Sequence, residues 1–301
     1  MILKNKLFYL SNSQYGGWVS FSYHLSKILN EDHVLKVKNT FKGGGQFYGD
    51  VKYKNIKKTA IYNFTNPIIL AVDKAHYELL KYFKDATIII HDPTELSTEV
   101  LKFAKNNKVI TIRETVHELL NNMGIKNVFF KHPFYKYPKY NLDKKYNRSL
   151  SRVDFDKNTD IICKANNLGA DVEIYGYKNH IYYFHKLKAL DFDKYYKGYY
   201  SKNLNDISKL YAATKYLVDM STIKKDGGGT QYTFLEAEYH DCGLILHKNW
   251  CNVPNSSYIH GENCYAVSNE IELLNALQQK TKKSNLLPND FENNLWKSVQ
   301  I

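Results

Sequence analysis

Short apolar runs alternate along this chain with stretches whose apolar positions recur at helical spacing. Leu7 to Leu10 predicts a buried strand, Gly16–Gly17 a turn, and Val19 to Leu29 an amphipathic helix. Further strands are predicted at Ile68–Val72, Thr87–Ile90 and Val109–Ile112, followed by a helix over Thr115–Met123. Strand, helix and strand at these intervals predict a parallel sheet covered by helices. The alternation stops at Phe129 to Phe134, and the polar, Tyr/Lys-rich stretch from Tyr135 to Ser149 contains Pro138. Beyond it the pattern resumes with a strand at Leu150–Val153, a helix at Thr159–Leu168, and a strand at Val172–Tyr175 closed by Gly176. A strand at Leu217–Met220, a helix at Tyr232–His240 and a strand at Leu244–Leu246 complete it. The fold class is therefore α/β, with two Rossmann-like doubly wound domains facing a cleft. Residues 1–134 form the first domain, 135–149 a linker and 150–285 the second; 286–301 is a closing segment expected to return to the first domain.

A chain of 301 residues suits two such domains. Hydrophobic residues make up 44%, enough to offset chain entropy and exclude intrinsic disorder. No run approaches the ~20 apolar residues that span a bilayer, so a soluble, cytoplasmic protein without membrane contact is expected, as a monomer. The four cysteines, Cys163, Cys242, Cys251 and Cys264, show no zinc or CxxC spacing, which suits a reducing compartment. Histidines such as His132, His180 and His185 are scattered without metal-ligand spacing, and no metal is expected.

Two stretches carry most of the candidate chemistry. In the run from Asp226 to Leu246, a glycine-rich segment (Gly227 to Gly229) leads through Thr230 and Gln231 into a helix that starts near Tyr232 and Thr233. Unpaired amides and the helix dipole make such an entry an anion site. Glu236 lies one turn inside, able to accept hydrogen bonds from vicinal hydroxyls, while Gly243 supplies a turn into the next strand. The plain alternative is a flexible loop before a core helix. The second stretch, Leu150 to Asn158, carries Arg152 and Lys157 past a strand end, where both cations could grip a diphosphate. Taken alone, they would be surface charges.

Together and in this order these stretches resemble the donor domain of GT-B glycosyltransferases, in which an Arg and a Lys five residues apart grip the diphosphate and a glycine-rich turn leads into a helix bearing Leu-Glu-Ala. Gly261-Glu262-Asn263, Tyr265-Ala266-Val267 and a helix at Glu270–Leu277 are similar to that family's closing segment. One departure stands out: many relatives carry two glutamates seven residues apart, and Gly228 stands where the first would be, with Asp226 nearby as a candidate replacement. Gln231 to Gly243 is most similar to phage α-glucosyltransferases that modify hydroxymethylated DNA, as is Ile88-Ile89-Ile90-His91-Asp92-Pro93. The resemblance implies a UDP-sugar donor, UDP-glucose by analogy, a hydroxymethylated pyrimidine in viral DNA as acceptor, and retention at the anomeric carbon. It assigns the donor diphosphate to Arg152, Lys157, Gly229, Thr230, Gln231, Tyr232 and Thr233, and the ribose to Glu236. It places Asp92 at the reacting centre.

The residues allow a parallel reading of the first domain. His91 and Asp92 follow a strand of three isoleucines, where an imidazole titrating near neutrality and a carboxylate could serve the acceptor or the sugar. Equally, Asp92-Pro93-Thr94-Glu95 could cap the next helix. Gly16 and Gly17 would let backbone approach a ligand, or form a simple tight turn. Closure of the domains about residues 131–150 would exclude water.

The charge bears on the acceptor. Lysines and arginines number 42 against 30 acidic residues, a net +12, and residues 1–134 hold +8 of it. Lys36 to Lys58 interleaves seven lysines, Lys42, Lys52 and Lys54 among them, with Phe41, Phe47, Tyr48 and Tyr53 around Gly43–Gly45. As a loop, this composition suits phosphate contacts and base stacking; Arg113, which with Glu114 ends the Val109–Ile112 strand, is either a further acceptor-side cation or one half of a structural Arg–Glu pair. A solvated loop without a partner is the alternative. Two other functions stay open: glycosyl transfer to a surface glycan or protein, and a non-catalytic nucleic-acid-binding protein on the same scaffold.

Overall fold

The structure, a computed structural model, describes residues 3–4, 6–38, 44–201, 203–222, 229–253, 256–284, 287 and 295–300. Two compact units emerge, one of Met1–Tyr135 with Lys225–Gly229 and Asn289–Ile301, the other of Lys136–Lys224 with Thr230–Pro288.

The first unit is built on eight strands: β1 (Leu7–Leu10), β2 (His33–Lys38), β3 (Gly44–Tyr48), β4 (Val51–Lys57), β5 (Ile68–Val72), β6 (Thr87–Ile90), β7 (Lys108–Thr111) and β8 (Val128–Phe129). Their order is β8-β7-β6-β5-β1-β2-β4-β3. All neighbours are parallel except the β3–β4 hairpin. Strands β1, β5 and β6 are buried along their whole length, which is why they read as unbroken apolar runs. Helices α1 (Gly17–Ile28), α2 (Thr98–Ala104) and α3 (Glu114–Asn122) belong to this unit. The strand order reverses between β1 and β5, so the loops leaving those strands mark the crevice where open α/β sheets take ligands.

The basic stretch read as a loop is largely strand. Lys36 and Lys38 lie on β2, Lys52, Lys54 and Lys57 on β4, and Phe47 and Tyr48 are buried. Those two rings therefore pack inside the unit and are not available to stack on bases. The charges concealed the strands: β4 is paired on both sides, yet Lys52, Lys54 and Lys57 on it stay exposed, so its sequence reads as polar. Gly44 and Gly45 belong to packing: an added Cβ would lie 2.3 Å from the Tyr53 carbonyl oxygen at the first and 2.9 Å from the Tyr53 ring at the second. Lys42, Phe41 and Gly43 lie outside the described residues.

The closing turn Leu295–Gln300 packs within the first unit. Trp296 is 2% exposed, donates from Nε1 to the Lys131 carbonyl at 2.9 Å, and meets Phe21 and Phe130 edge-on. Tyr and Trp bury large apolar area while keeping a polar handle paired, as here.

The second unit holds a five-stranded parallel sheet of β9 (Tyr146–Leu150), β10 (Val172–Tyr175), β11 (Thr214–Asp219), β12 (Gly243–His247) and β13 (Tyr265–Val267), in the order β10-β9-β11-β12-β13. Helices α4 (Thr159–Asn167), α5 (Leu204–Ala212), α6 (Tyr232–Tyr239) and α7 (Glu270–Leu277) accompany it. Strand β9 begins inside the stretch read as linker and ends before Arg152. Its polar residues hid it: Arg148 is buried, pairing with Glu173 at 2.7 Å and donating to the Leu210 carbonyl. Gly243 opens β12 instead of making the turn, which falls to Asp241 at φ 56°; a Cβ at Gly243 would lie 2.6 Å from the Tyr216 ring.

The order 2-1-3-4-5 puts the switch point between β9 and β11. The loops leaving these strands are tied together. Asn158 Nδ2 donates to the Met220 carbonyl at 2.9 Å, and the Thr222 amide to the Asp156 carbonyl at 3.1 Å. Gly176, at the end of β10, lies against the same loop: its φ is 133°, and an added Cβ would sit 1.9 Å from the Ser151 carbonyl oxygen. Gly176→Ala should therefore lower stability by about 1–3 kcal/mol, through both the left-handed backbone and the steric clash. Urea unfolding measures it, and an unchanged midpoint would refute the packing described.

Candidate active site

At the switch point of the second unit, β9 ends and the chain turns through Arg152 into a short 3-10 turn, Phe155–Lys157. Lys157 reaches from there to the entry of α6, donating to Gln231 Oε1 at 3.2 Å. Its side chain is 11% exposed, with Asp219 Oδ2 at 3.9 Å. Gln231 in turn donates to Ser221 Oγ at 3.2 Å. Asp219 Oδ1 accepts from the Ser221 amide at 2.8 Å, and Trp250 Nε1 donates to the Ser221 carbonyl at 3.0 Å. A nearly buried ammonium thus stands beside a helix N-terminus whose N-cap, Gln231, spends its side chain on Lys157 and Ser221 and makes no side-chain cap. Both features favour an anion.

Other residues named from sequence take distinct places. Gly229 has φ 89°, which frees the backbone just before the helix, and Thr230 Oγ1 shares a hydrogen bond of 2.6 Å with the Tyr258 hydroxyl. Tyr232 is buried, and among the described residues Thr233 Oγ1 is a buried hydroxyl without a hydrogen-bond partner. Arg152 is 55% exposed and held by two carboxylates, Asp154 at 3.0 Å and Asp156 at 2.9 Å. It is not brought to Gln231; a phosphate would have to compete with that acidic pair. Asp226, Gly227 and Gly228 lie outside the described residues.

Glu236 sits one turn into α6 and is buried. Vicinal hydroxyls were expected to meet this carboxylate. The hydroxyls that do so here belong to Tyr137 and Tyr211, each donating at 2.8 Å. Burial pushes the Glu236 carboxyl up to about 7, against the two tyrosine hydrogen bonds that lower it. Burial, and then the charge of Glu236, hold the Tyr211 and Tyr232 hydroxyls well above their ordinary pKa, so they remain donors.

In the first unit, Gly16 caps α1 with φ 93° and ψ −172°, and neither Gly16 nor Gly17 would bring a Cβ within 4 Å of another atom. The space above this helix entry is open. His91 and Asp92 follow β6. His91 is buried, its Nε2 lies 2.7 Å from the Leu70 carbonyl, and its ring meets Phe21 edge-on. Burial pushes its pKa down to about 4, so the imidazole expected to titrate near neutrality is neutral there and ties β6 to β5. Arg113 Nε donates to the His91 carbonyl at 2.8 Å, locating that cation beside the same strand end. Asp92 Oδ1 accepts from the Thr94 amide at 2.8 Å and from the Thr94 hydroxyl. It caps the turn Pro93–Glu95, while Ser97 caps the α-helix beyond. Among the described residues Asp92 Oδ2 has no hydrogen-bond partner.

Three groups escaped sequence reasoning. Asp219 ends, and Ser221 follows, a strand that reads as ordinary core. Glu95 reads as a helix-capping residue, yet it is buried between the Trp18 indole, 2.8 Å from Oε1, and the His91 amide, 3.0 Å from Oε2. Burial and then the charge of Asp92 push it up to about 8. Lys52 and Lys54 are exposed on the β3–β4 hairpin, where an open depression of about 690 Å³ also includes Gly44, Gly45 and Tyr53. This edge lies apart from the β1/β5 switch point. Among the described residues, no three His, Cys, Asp or Glu side chains converge as metal ligands, and no helix is long and apolar enough to cross a membrane.

Sequence comparison adds nothing: no known family matches the chain, and no curated protein does. Solved structures do. HepE of Anabaena, solved with UDP and glucose, matches with a TM-score of 0.63 over 98% of this chain and 94% of its own, at 12% identity. An α-glucosyltransferase solved with UDP and a 13-mer DNA containing an HMU base matches at 0.64 over 92% and 89%, with 11% identity. TarM of S. aureus, solved with UDP among its ligands, matches at 0.53 over 83% of this chain and 56% of its own, with 14% identity. The chain has the GT-B fold. In GT-B terms, the Lys157 cluster belongs to the C-terminal unit and the His91–Asp92 strand end to the N-terminal one.

Glu236 supplies a test of this site's electrostatics. Its folded-state pKa lies above its unfolded value, so the folded protein binds the extra proton and loses stability as pH rises from about 4.5 to about 7. Glu236→Gln removes that loss while keeping partners for both tyrosine hydroxyls. Relative to wild type, the variant should gain about 3 kcal/mol in going from about pH 4 to about pH 8. Urea midpoints at the two pH values measure it; a constant difference would show that the carboxyl is not held as described.

Proposed function

We propose that this protein transfers a sugar from a UDP-sugar donor, UDP-glucose by analogy, to a hydroxyl group, and that its acceptor is a hydroxymethylated pyrimidine in DNA. The observation that carries the reading is the meeting of Lys157 with Gln231 at the uncapped entry of α6, at the switch point of a GT-B fold. Charge accumulates on the leaving diphosphate as the glycosidic bond breaks. A fixed ammonium and helix-entry amides oppose that charge without reorganising. In this reading no metal is needed, because Lys157 and the amides of Gly229 to Thr233 supply the positive end, with Arg152 joining once phosphate displaces its carboxylate partners. A ribose hydroxyl would take the place of a tyrosine hydroxyl on Glu236.

On the acceptor side, Asp92 Oδ2 is the group proposed to meet the sugar or the incoming hydroxyl, with Gly16 and Gly17 proposed to line the cleft. His91 positions that strand end and is proposed as a neutral group, since burial holds it deprotonated. Retention follows by analogy with the α-glucosyltransferase fold. The DNA reading is supported by the likeness to a structure solved with HMU-containing DNA and by the +8 charge of residues 1–134. Lys42, Lys52, Lys54 and Arg113 are its proposed phosphate contacts. A second reading, transfer to a glycan or protein, is supported by the similar match to HepE, solved with UDP and glucose.

Incubation with UDP-glucose and duplex DNA bearing hydroxymethylated pyrimidine should give glucosylated bases by mass spectrometry and none on plain duplex. Transfer that ignores the DNA favours the glycan reading. Lys157→Ala and Arg152→Ala should each lower kcat/KM for the donor by about 10²–10³-fold. Unchanged donor kinetics in Lys157→Ala would remove the proposed diphosphate site.

A further inference from the structure

Twelve residues of chain separate Cys251 from Cys264, a spacing that matches no redox or metal motif. Folding nevertheless brings their sulfurs to 3.7 Å. Cys251 follows the short turn Lys248–Trp250 and Cys264 immediately precedes β13, so both sit on framework of the second unit. Cys251 is half-buried and Cys264 is fully buried. We propose that Cys251 and Cys264 form a dithiol modification site, which low-molecular-weight disulfides convert into an intramolecular bridge.

The chemistry follows from the asymmetry of the pair. The neighbouring Cys264 thiol, aided by the His260 backbone N–H and opposed by burial, holds the Cys251 thiol below its ordinary pKa. Cys251 is thus the more ionised and the more accessible sulfur, as an attacking thiol must be. Its thiolate attacks one sulfur of glutathione disulfide, the S–S bond of that molecule breaks, and one glutathione leaves and takes a proton. Cys264 then loses its proton, and its thiolate attacks Cys251 Sγ in the mixed disulfide, releasing the second glutathione. Two protein thiols are oxidised by two electrons in all, and one glutathione disulfide is reduced to two thiols. The other two cysteines do not compete. Cys163 and Cys242 are both buried, and burial pushes their thiols up to about 12 and about 11.

The bridge would close the segment that carries Tyr258, whose hydroxyl pairs with Thr230 Oγ1 just ahead of α6. The site therefore adjoins the proposed donor pocket, but its chemistry stands without the transfer reaction.

The folded full-length protein, treated with glutathione disulfide and digested without reduction, should show a Cys251–Cys264 crosslink. Wild type should lose two of its four titratable thiols and about two mass units. Cys264→Ser should stop at a mixed disulfide on Cys251, and Cys251→Ser should react at least about tenfold more slowly. Retention of all four thiols, a crosslink between other cysteines, or a wild-type reaction that ends at mixed disulfides would overturn the proposal. Because the wild type itself is decisive, a variant that fails to fold does not shelter it.

Discussion

The ammonium of Lys157 is the constraint around which the second unit is arranged. Removing a charge from water costs several kcal/mol unless it finds partners, and this one is only 11% exposed. Asp219 at 3.9 Å and the Gln231 side-chain oxygen at 3.2 Å supply those partners. Satisfying Lys157 in this way links the loop after β9, the end of β11 and the entry of α6. Trp250 and Asn158 then hold the Ser221 and Met220 carbonyls, so the three segments share one rigid frame. An anion arriving there meets a cation whose position is already determined.

The buried carboxyls obey the same rule with a different outcome. Among the described residues the hydrogen-bond partners of Glu236 and Glu95 include no cation, and both carboxyls are raised above the ordinary range, to about 7 and about 8. Each has two hydrogen-bond donors, tyrosine hydroxyls for Glu236, an indole and a backbone amide for Glu95. Donors alone offset only part of the desolvation. Perturbed carboxyls of this kind cluster at functional sites, and here both lie beside residues that sequence reading singled out. They differ in kind from Lys157, whose burial is offset by the nearby Asp219 carboxylate and the Gln231 side-chain oxygen.

Much of the architecture was legible because it rests on local period. Buried parallel strands such as Ile68–Val72 and Thr87–Ile90 are continuous apolar runs, and helices such as Glu270–Leu277 show their stripe. Strands carrying charge were not legible. Strand β9 holds Arg148, whose burial depends on Glu173 in the neighbouring strand, and β4, an interior strand of its sheet, holds the exposed Lys52, Lys54 and Lys57. The partner of Arg148, and the strands β2 and β3 that flank β4 and hold it in the sheet, come from elsewhere in the chain, so no window of sequence contains the reason.

The order of apolar and polar residues determined by itself that two α/β units follow one another, and the residue types in the Arg152–Lys157 and Gly229–Glu236 stretches marked where charge and bare amides would be found. Tertiary structure alone decided which of them meet. Lys157 finds Gln231 across 74 residues, Tyr137 finds Glu236 across 99, and Arg152 turns to its own neighbours Asp154 and Asp156. A side chain's partner depends on distance in space after the sheet order is set, and that order places β11 beside β9 through pairings that sequence separation does not encode.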